Sequence, residues 1–147
     1  QNSGNNKGAT KELLSLTTNG NVIVVVVVII IIKQALQAFL LLDGIVFVAD
    51  SMAVRREKNI LSLKNLQENL ANYKKSIFRI PCVMQYNKAD LFEQGIPLLP
   101  TDLLEKDLNT QLKRPSFKAS ALKGTNVVIT LKKIISMTVA TIKRDLK

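Results

Sequence analysis

Ile80-Pro81-Cys82-Val83-Met84-Gln85-Tyr86-Asn87-Lys88-Ala89-Asp90 is the stretch whose reading decides the fold. Its first half is a short apolar run bounded by Pro81 and a polar turn, which predicts a buried β-strand. Its second half sets an amide, an ammonium and a carboxylate side by side. In α/β folds ligands sit past the carboxyl ends of strands, so the position suits a binding loop. The order Asn-Lys-x-Asp has a chemical logic for guanine. The Asp90 carboxylate can accept two hydrogen bonds, from the ring N1–H and the exocyclic 2-amino group. Adenine offers neither donor in that arrangement and would leave the charge unpaired, a mismatch that costs orders of magnitude in affinity. Lys88 can lay its methylene stem over a base, and the Asn87 amide can bond the base edge and tie neighbouring loops together. Taken alone, the four residues fit an ordinary solvated turn equally well, and their surroundings must discriminate.

Working outward, Gly44-Ile45-Val46-Phe47-Val48-Ala49 is another apolar run of strand length, ending at Asp50-Ser51. Residues 55–75 predict a helix whose Ile60, Leu63, Leu66, Leu70 and Tyr73 recur every three or four positions as one buried stripe. After the loop and a Pro-containing connector, Thr101 is a plausible N-cap for a helix carrying Leu103, Leu104, Leu108 and Leu112. Pro115 ends that region. Ser116-Phe117-Lys118-Ala119 reads as a short last strand running into Ser120-Ala121. A terminal helix over residues 127–144 places Val128, Leu131, Ile134, Ile135, Val139 and Ile142 on one side. Strands alternating with helices predict a parallel sheet covered on both faces.

The chain has 147 residues, enough for one domain with a substantial core, and is 47% hydrophobic and 22% charged, a globular composition. Its one cysteine, Cys82, lies in the predicted strand and reads as an inert core residue of a protein in a reducing cytosol. Without histidine or a second cysteine, zinc sites and His-based triads are excluded. The net charge of +10 is scattered over predicted helices, with no aromatic residues interleaved, which argues against nucleic-acid binding.

Residues 1–42 are atypical. Gly4-Asn5-Asn6-Lys7-Gly8-Ala9-Thr10 fails the G-x-x-x-x-G-K-[ST] pattern of a phosphate loop because Lys7 precedes Gly8. Residues 22–32 are an unbroken β-branched run that predicts a strand and is too short for a transmembrane helix. The basic n-region and cleavage site of a signal peptide are not seen before it.

With these motifs in order, the chain resembles the small GTPases of the Ras superfamily. Those proteins end as strand with Asp at its tip, helix, strand with NKxD, helix, short strand with Ser-Ala, helix. A narrower resemblance, to the bacterial MglA-type gliding-motility GTPases, rests on several stretches. These are Asp43–Ser51, Asn65-Leu66-Gln67-Glu68-Asn69-Leu70-Ala71, Gln85–Leu91, the spacing of Gly124, Val127 and Thr130-Leu131-Lys132, and the short lead-in Glu12–Thr18. The resemblance covers residues 43–147 plus that lead-in. It implies one domain over 1–147 with an α/β, three-layer P-loop NTPase-like (Ras-like) fold and a mostly parallel central sheet. It implies binding of GTP and GDP, with Asn87, Lys88, Asp90, Ser120 and Ala121 around the base, the Ala121 N–H donating to the base oxygen, and Ser120 bracing the loop and Asp90. It further implies Mg²⁺, slow GTP hydrolysis, a role in gliding motility or cell polarity, a roadblock-type activator as partner, and a cytoplasmic protein recruited to cell poles. The departures are equally plain: no phosphate loop, no Arg-Thr pair after Thr18, and no Pro-Gly-Gln element. Catalytic residues and metal ligands are therefore unassigned. Two alternatives stay open, a non-catalytic guanine-nucleotide-binding scaffold and a basic α/β adaptor for an anionic surface.

Overall fold

The computed structural model describes residues 23–27 and 44–146. The expectations placed on residues 4–10, 12–18, 28–32 and 33–42 lie outside the described residues. The elements are β1 (Ile23–Val27), β2 (Gly44–Asp50), α1 (Arg56–Asn72), β3 (Cys82–Asn87), α2 (Thr101–Leu108), β4 (Ser116–Lys118) and α3 (Val127–Asp145). The described strands form one sheet in the order β1-β2-β3-β4. β2, β3 and β4 are parallel, and β1 lies antiparallel against β2 with Ile23 opposite Val48. The sheet is thus mostly parallel.

Side chains alternate across a strand, and that alternation divides the core in two. Ile45, Phe47 and Ala49 of β2 and Cys82, Met84 and Tyr86 of β3 face Leu63, Leu66 and Leu70 of α1 and Leu104 and Leu108 of α2. On the opposite face, Val46, Val48 and Val83 meet Ile134 of α3. Both faces are covered, so every residue of β2 is buried, and the strand reads as continuous apolar text, as buried parallel strands do. At about 1.5–3 kcal/mol for each fully buried large apolar side chain, this double burial is the main favourable term of the fold.

The central leucines of the α1 stripe are buried, whereas Ile60 and Tyr73 at its ends remain over a third exposed. The helix also buries a residue that periodicity passed over, Asn59. Its Oδ1 accepts the Asp50 N–H at 3.1 Å and its Nδ2 donates to the Asp50 carbonyl at 2.8 Å, fixing the end of β2. Thr101 is the first residue of α2 and not its cap; Pro100 occupies the cap position and makes no side-chain bond there. Proline suits the edge of a helix because its fixed φ matches and its missing N–H would be unpaired anyway. α2 is tied to β3 by the Tyr86 hydroxyl, which donates to Glu105 Oε1 at 2.6 Å. Burial, the hydrogen bond to Glu105 and its charge all push the Tyr86 phenol up. Burial also pushes the Cys82 thiol up to about 12, with Arg114 opposing weakly, so Cys82 is an inert core residue.

α3 differs most from expectation. Thr130, Ile134 and Thr138 form its buried line, while Val128, Leu131 and Ile135 are 59%, 40% and 48% exposed. The cause lies in β2. Gly44 has no Cβ, and one added there would run into Thr138 Oγ1 and come within 3.2 Å of Ile134 Cδ1. The helix therefore approaches β2 closely through Ile134 and Thr138, and Val128, Leu131 and Ile135 flank the contact.

Candidate functional site

The carboxyl ends of β2, β3 and β4 place three loops side by side. After β3 the chain reverses through Lys88, which holds a left-handed φ of 68°, and enters a 3₁₀ helix over Ala89–Gln94. That conformation costs a non-glycine residue about 1 kcal/mol, so neighbouring contacts must hold it. The Ala89 N–H donates to the Ala119 carbonyl at 3.0 Å, and the Ala119 N–H donates to the Tyr86 carbonyl at 2.8 Å. The loop after β3 is thereby fastened to the end of β4.

Two side-chain bonds join the same loops. The Ser120 hydroxyl donates to Asp90 Oδ1 at 2.7 Å and accepts the Lys123 N–H at 3.1 Å. Asn87 Oδ1 accepts the Ala121 N–H at 2.8 Å. Asp90 is buried, and no donor from the described residues reaches its second oxygen, Oδ2. The Ser120–Thr125 turn closes through the Ser120 N–H to the Thr125 carbonyl at 3.1 Å. Gly124 takes the positive φ this turn requires, 73°, which glycine adopts without a steric penalty. Lys123 Nζ lies 2.6 Å from Glu93 Oε2 across the outside of the two loops. This pair is exposed, and such pairs add little.

All five residues singled out in the sequence, Asn87, Lys88, Asp90, Ser120 and Ala121, thus lie at one edge of the sheet. The Ala121 N–H, which the resemblance assigns to a base oxygen, here donates to Asn87. A cavity of about 180 Å³ on the α3 face is lined by Val46, Val48, Gln85, Asn87, Ala121 and Leu131, among others, but not by Lys88 or Asp90.

One neighbour went unassigned in the sequence. Asp50 at the tip of β2 receives Lys88 Nζ on Oδ2 at 2.8 Å and the Met52 N–H on Oδ1 at 3.0 Å. Arg55 Nε is 3.9 Å away. Asp50 stands opposite Asn87 in the parallel register, with the Ser51 N–H donating to the Asn87 carbonyl at 3.1 Å. Aligning the two predicted strands by their carboxyl ends would have revealed it. Among the described residues no three His, Cys, Asp or Glu side chains come together as a metal site. With Asp50 engaged by Lys88, no described set fits Mg²⁺.

A mostly parallel sheet between two helical layers, with NKxD and Ser-Ala loops hydrogen-bonded at its carboxyl edge, is the architecture of the Ras-like class. Comparison with known proteins gives the particular likeness. The chain is 38% identical over 103 residues to Mutual gliding-motility protein MglA of Myxococcus xanthus (strain DK1622). The match takes in 70% of this chain and 50% of that protein, so the chain spans about half the length of the curated relative it matches. No family model matches the chain. The resemblance to MglA-type proteins read from the sequence is borne out over that span. Among the described residues, no helix is long and apolar enough to cross a membrane.

Proposed function

We propose that this chain carries the guanine-recognition half of a GTP/GDP switch that acts in gliding motility or cell polarity. The observation that supports it most is the paired bonding of the two loops, Ser120 to Asp90 Oδ1 and Ala121 to Asn87. Ser120 holds the carboxylate by one oxygen and leaves Oδ2 for the donors of a base. Both guanine donors then meet Asp90. The base oxygen replaces Asn87 Oδ1 as acceptor for the Ala121 N–H, and the released Asn87 amide turns to the base edge. Lys88, anchored on Asp50, presents its methylene stem as the wall over the ring.

Hydrolysis in this class depends on phosphate positioning, charge stabilisation and Mg²⁺. None of the described residues is assigned to those tasks. The proposal extends, as the family resemblance implies, to GTP hydrolysis in the whole protein, a roadblock-type activator and recruitment to cell poles. The order Lys7-Gly8 at the amino end, which departs from a phosphate loop, favours a second reading, a guanine-binding scaffold without hydrolysis. Binding is tested by thermal unfolding of the chain with GDP or ADP, since a ligand specific for the folded state raises its melting temperature. A rise with GDP alone is expected. Equal rises, or none, would refute the base assignment. Phosphate release from GTP then separates the switch from the scaffold.

A further inference from the structure

We propose that the end of the molecule opposite the NKxD loop is a docking surface for an anionic lipid bilayer. It is formed where the parallel strands begin and where α1 and α3 end. The loop after α1 carries Lys74, Lys75 and Arg79, the turn before β4 carries Lys113 and Arg114, and the last turn of α3 carries Lys143 and Arg144. The loop after α1 lies against the end of α3 on one side and against Arg114 on the other. Lys74, Lys75, Arg79, Thr141, Ile142 and Asp145 line a common hollow of about 340 Å³, and Arg114 Nη2 donates to the carbonyls of Ile77 and Phe78 at 3.1 and 2.6 Å. Among the described residues, Asp145 is the acid lining this hollow, and it lies 3.7 Å from Arg144.

A simpler account assigns the cations to the helix C-termini, whose partial negative charge favours Lys and Arg. It covers Lys143 and Arg144 in the last turn of α3, and in part Lys74. It does not cover Arg79, Lys113 or the apolar residues among them. Phe78 is 55% exposed between Ile77 and Arg79, and Leu146 is 82% exposed just beyond α3. Exposed apolar side chains inside a dense basic patch match the two terms of binding at a charged interface, attraction to anionic headgroups and burial of apolar surface below them. A patch for nucleic acid would instead need base-reading or stacking groups set among the cations. Docked this way, the sheet edge with Asp90 and Ser120 faces away from the bilayer.

The test is sedimentation of the full chain with vesicles of phosphatidylcholine alone or mixed equally with phosphatidylserine. Binding only to the mixed vesicles, and its loss in about 0.5 M salt, is expected because screening shortens the reach of the headgroup charge. Arg79→Ser with Lys143→Ser and Arg144→Ser should weaken it by roughly fivefold per residue, and Phe78→Ser further, without lowering the melting temperature. A control triple, Lys58→Ser, Lys64→Ser and Lys106→Ser, removes the same charge from α1 and α2 and should leave most of the binding. Equal losses in both triples, equal binding to uncharged vesicles, or tighter binding to duplex DNA than to the mixed vesicles would each overturn the proposal.

Discussion

Ser120→Ala tests the joint between the two loops. The hydroxyl sits at a residue only 2% exposed and serves two partners, Asp90 Oδ1 at 2.7 Å and the Lys123 N–H at 3.1 Å. The second partner is near solvent, and water replaces it at little cost. The first is a buried carboxylate, and a hydrogen bond to a charged group contributes about 1.5–3 kcal/mol. Alanine leaves Asp90 with no described donor on either oxygen, so the loss should fall in that range. For a chain of this size that corresponds to roughly 5–12 °C in melting temperature. Thermal and urea unfolding without nucleotide measure it, with an unchanged urea slope showing that only stability moved. The proposed site adds a second expectation, a GDP affinity reduced by about tenfold or more because Asp90 is no longer held in place. A loss below about 0.5 kcal/mol, the level of an ordinary surface change, would refute the claim that Ser120 braces the carboxylate.

Lys88→Met should destabilise more than Asp50→Asn. It leaves a carboxylate whose side chain is 1% exposed with only the Met52 N–H and Arg55 at 3.9 Å, while the lysine, at 37%, can return to water. About 2–3 kcal/mol is expected for Lys88→Met, below the range for fully buried pairs, and a double-mutant cycle by urea unfolding checks the coupling. Gly44→Ala should cost about 1–3 kcal/mol by overpacking against Thr138, and adding Thr138→Ala, which also removes an unpaired buried hydroxyl, should restore most of it. The absence of such rescue in melting curves would contradict the close approach of α3 to β2. The Tyr86–Glu105 pair predicts stability lost at both ends of the pH scale. Burial raises Glu105, but hydrogen bonds from Ser116, Tyr86 and Asn109 outweigh it and hold the carboxyl below its usual 4.5. Its contribution is therefore present above pH 4.5 and lost as pH falls through the lowered value. Tyr86 is raised above its usual 10, so its contribution is full below pH 10 and lost as pH rises beyond it. Melting temperatures across pH should show Tyr86→Phe flattening the alkaline limb, and an unflattened limb would refute the assignment.

The strands and the joined loops were legible because buried parallel strands write themselves as apolar runs and because strand-end loops bear chemistry. Gly44–Ala49 and Ile80–Tyr86 foretold β2 and β3 to within two residues at either end. The Ser120–Asp90 contact followed from two motifs in order. The face of α3 is legible only in part: Ile134 is buried and Val139 and Ile142 half-buried, but Val128, Leu131 and Ile135 are exposed, for a physical reason. Hydrophobicity marks what can be buried, but distance of approach is set by size, and Gly44 leaves room for Thr138 where a bulkier residue would not fit. Asp50 and Asn59 escaped because a polar residue at a strand tip and another inside a helix carry no periodic signal. Their roles come from the parallel register, which brings Asp50 level with Asn87. Ala121 shows a further limit: a backbone N–H can be assigned to a ligand from a motif, yet its partner within the protein, Asn87, is visible only in three dimensions.

The most direct test is the nucleotide preference of Asp90→Asn. The carboxylate that accepts two N–H donors becomes an amide that offers its own N–H, and xanthine carries a carbonyl where guanine carries the amino group. Competition binding with GDP and xanthosine diphosphate should show guanine affinity falling by ~10²-fold or more and the xanthine nucleotide becoming the tighter ligand. An unchanged preference for GDP would contradict the account at its centre.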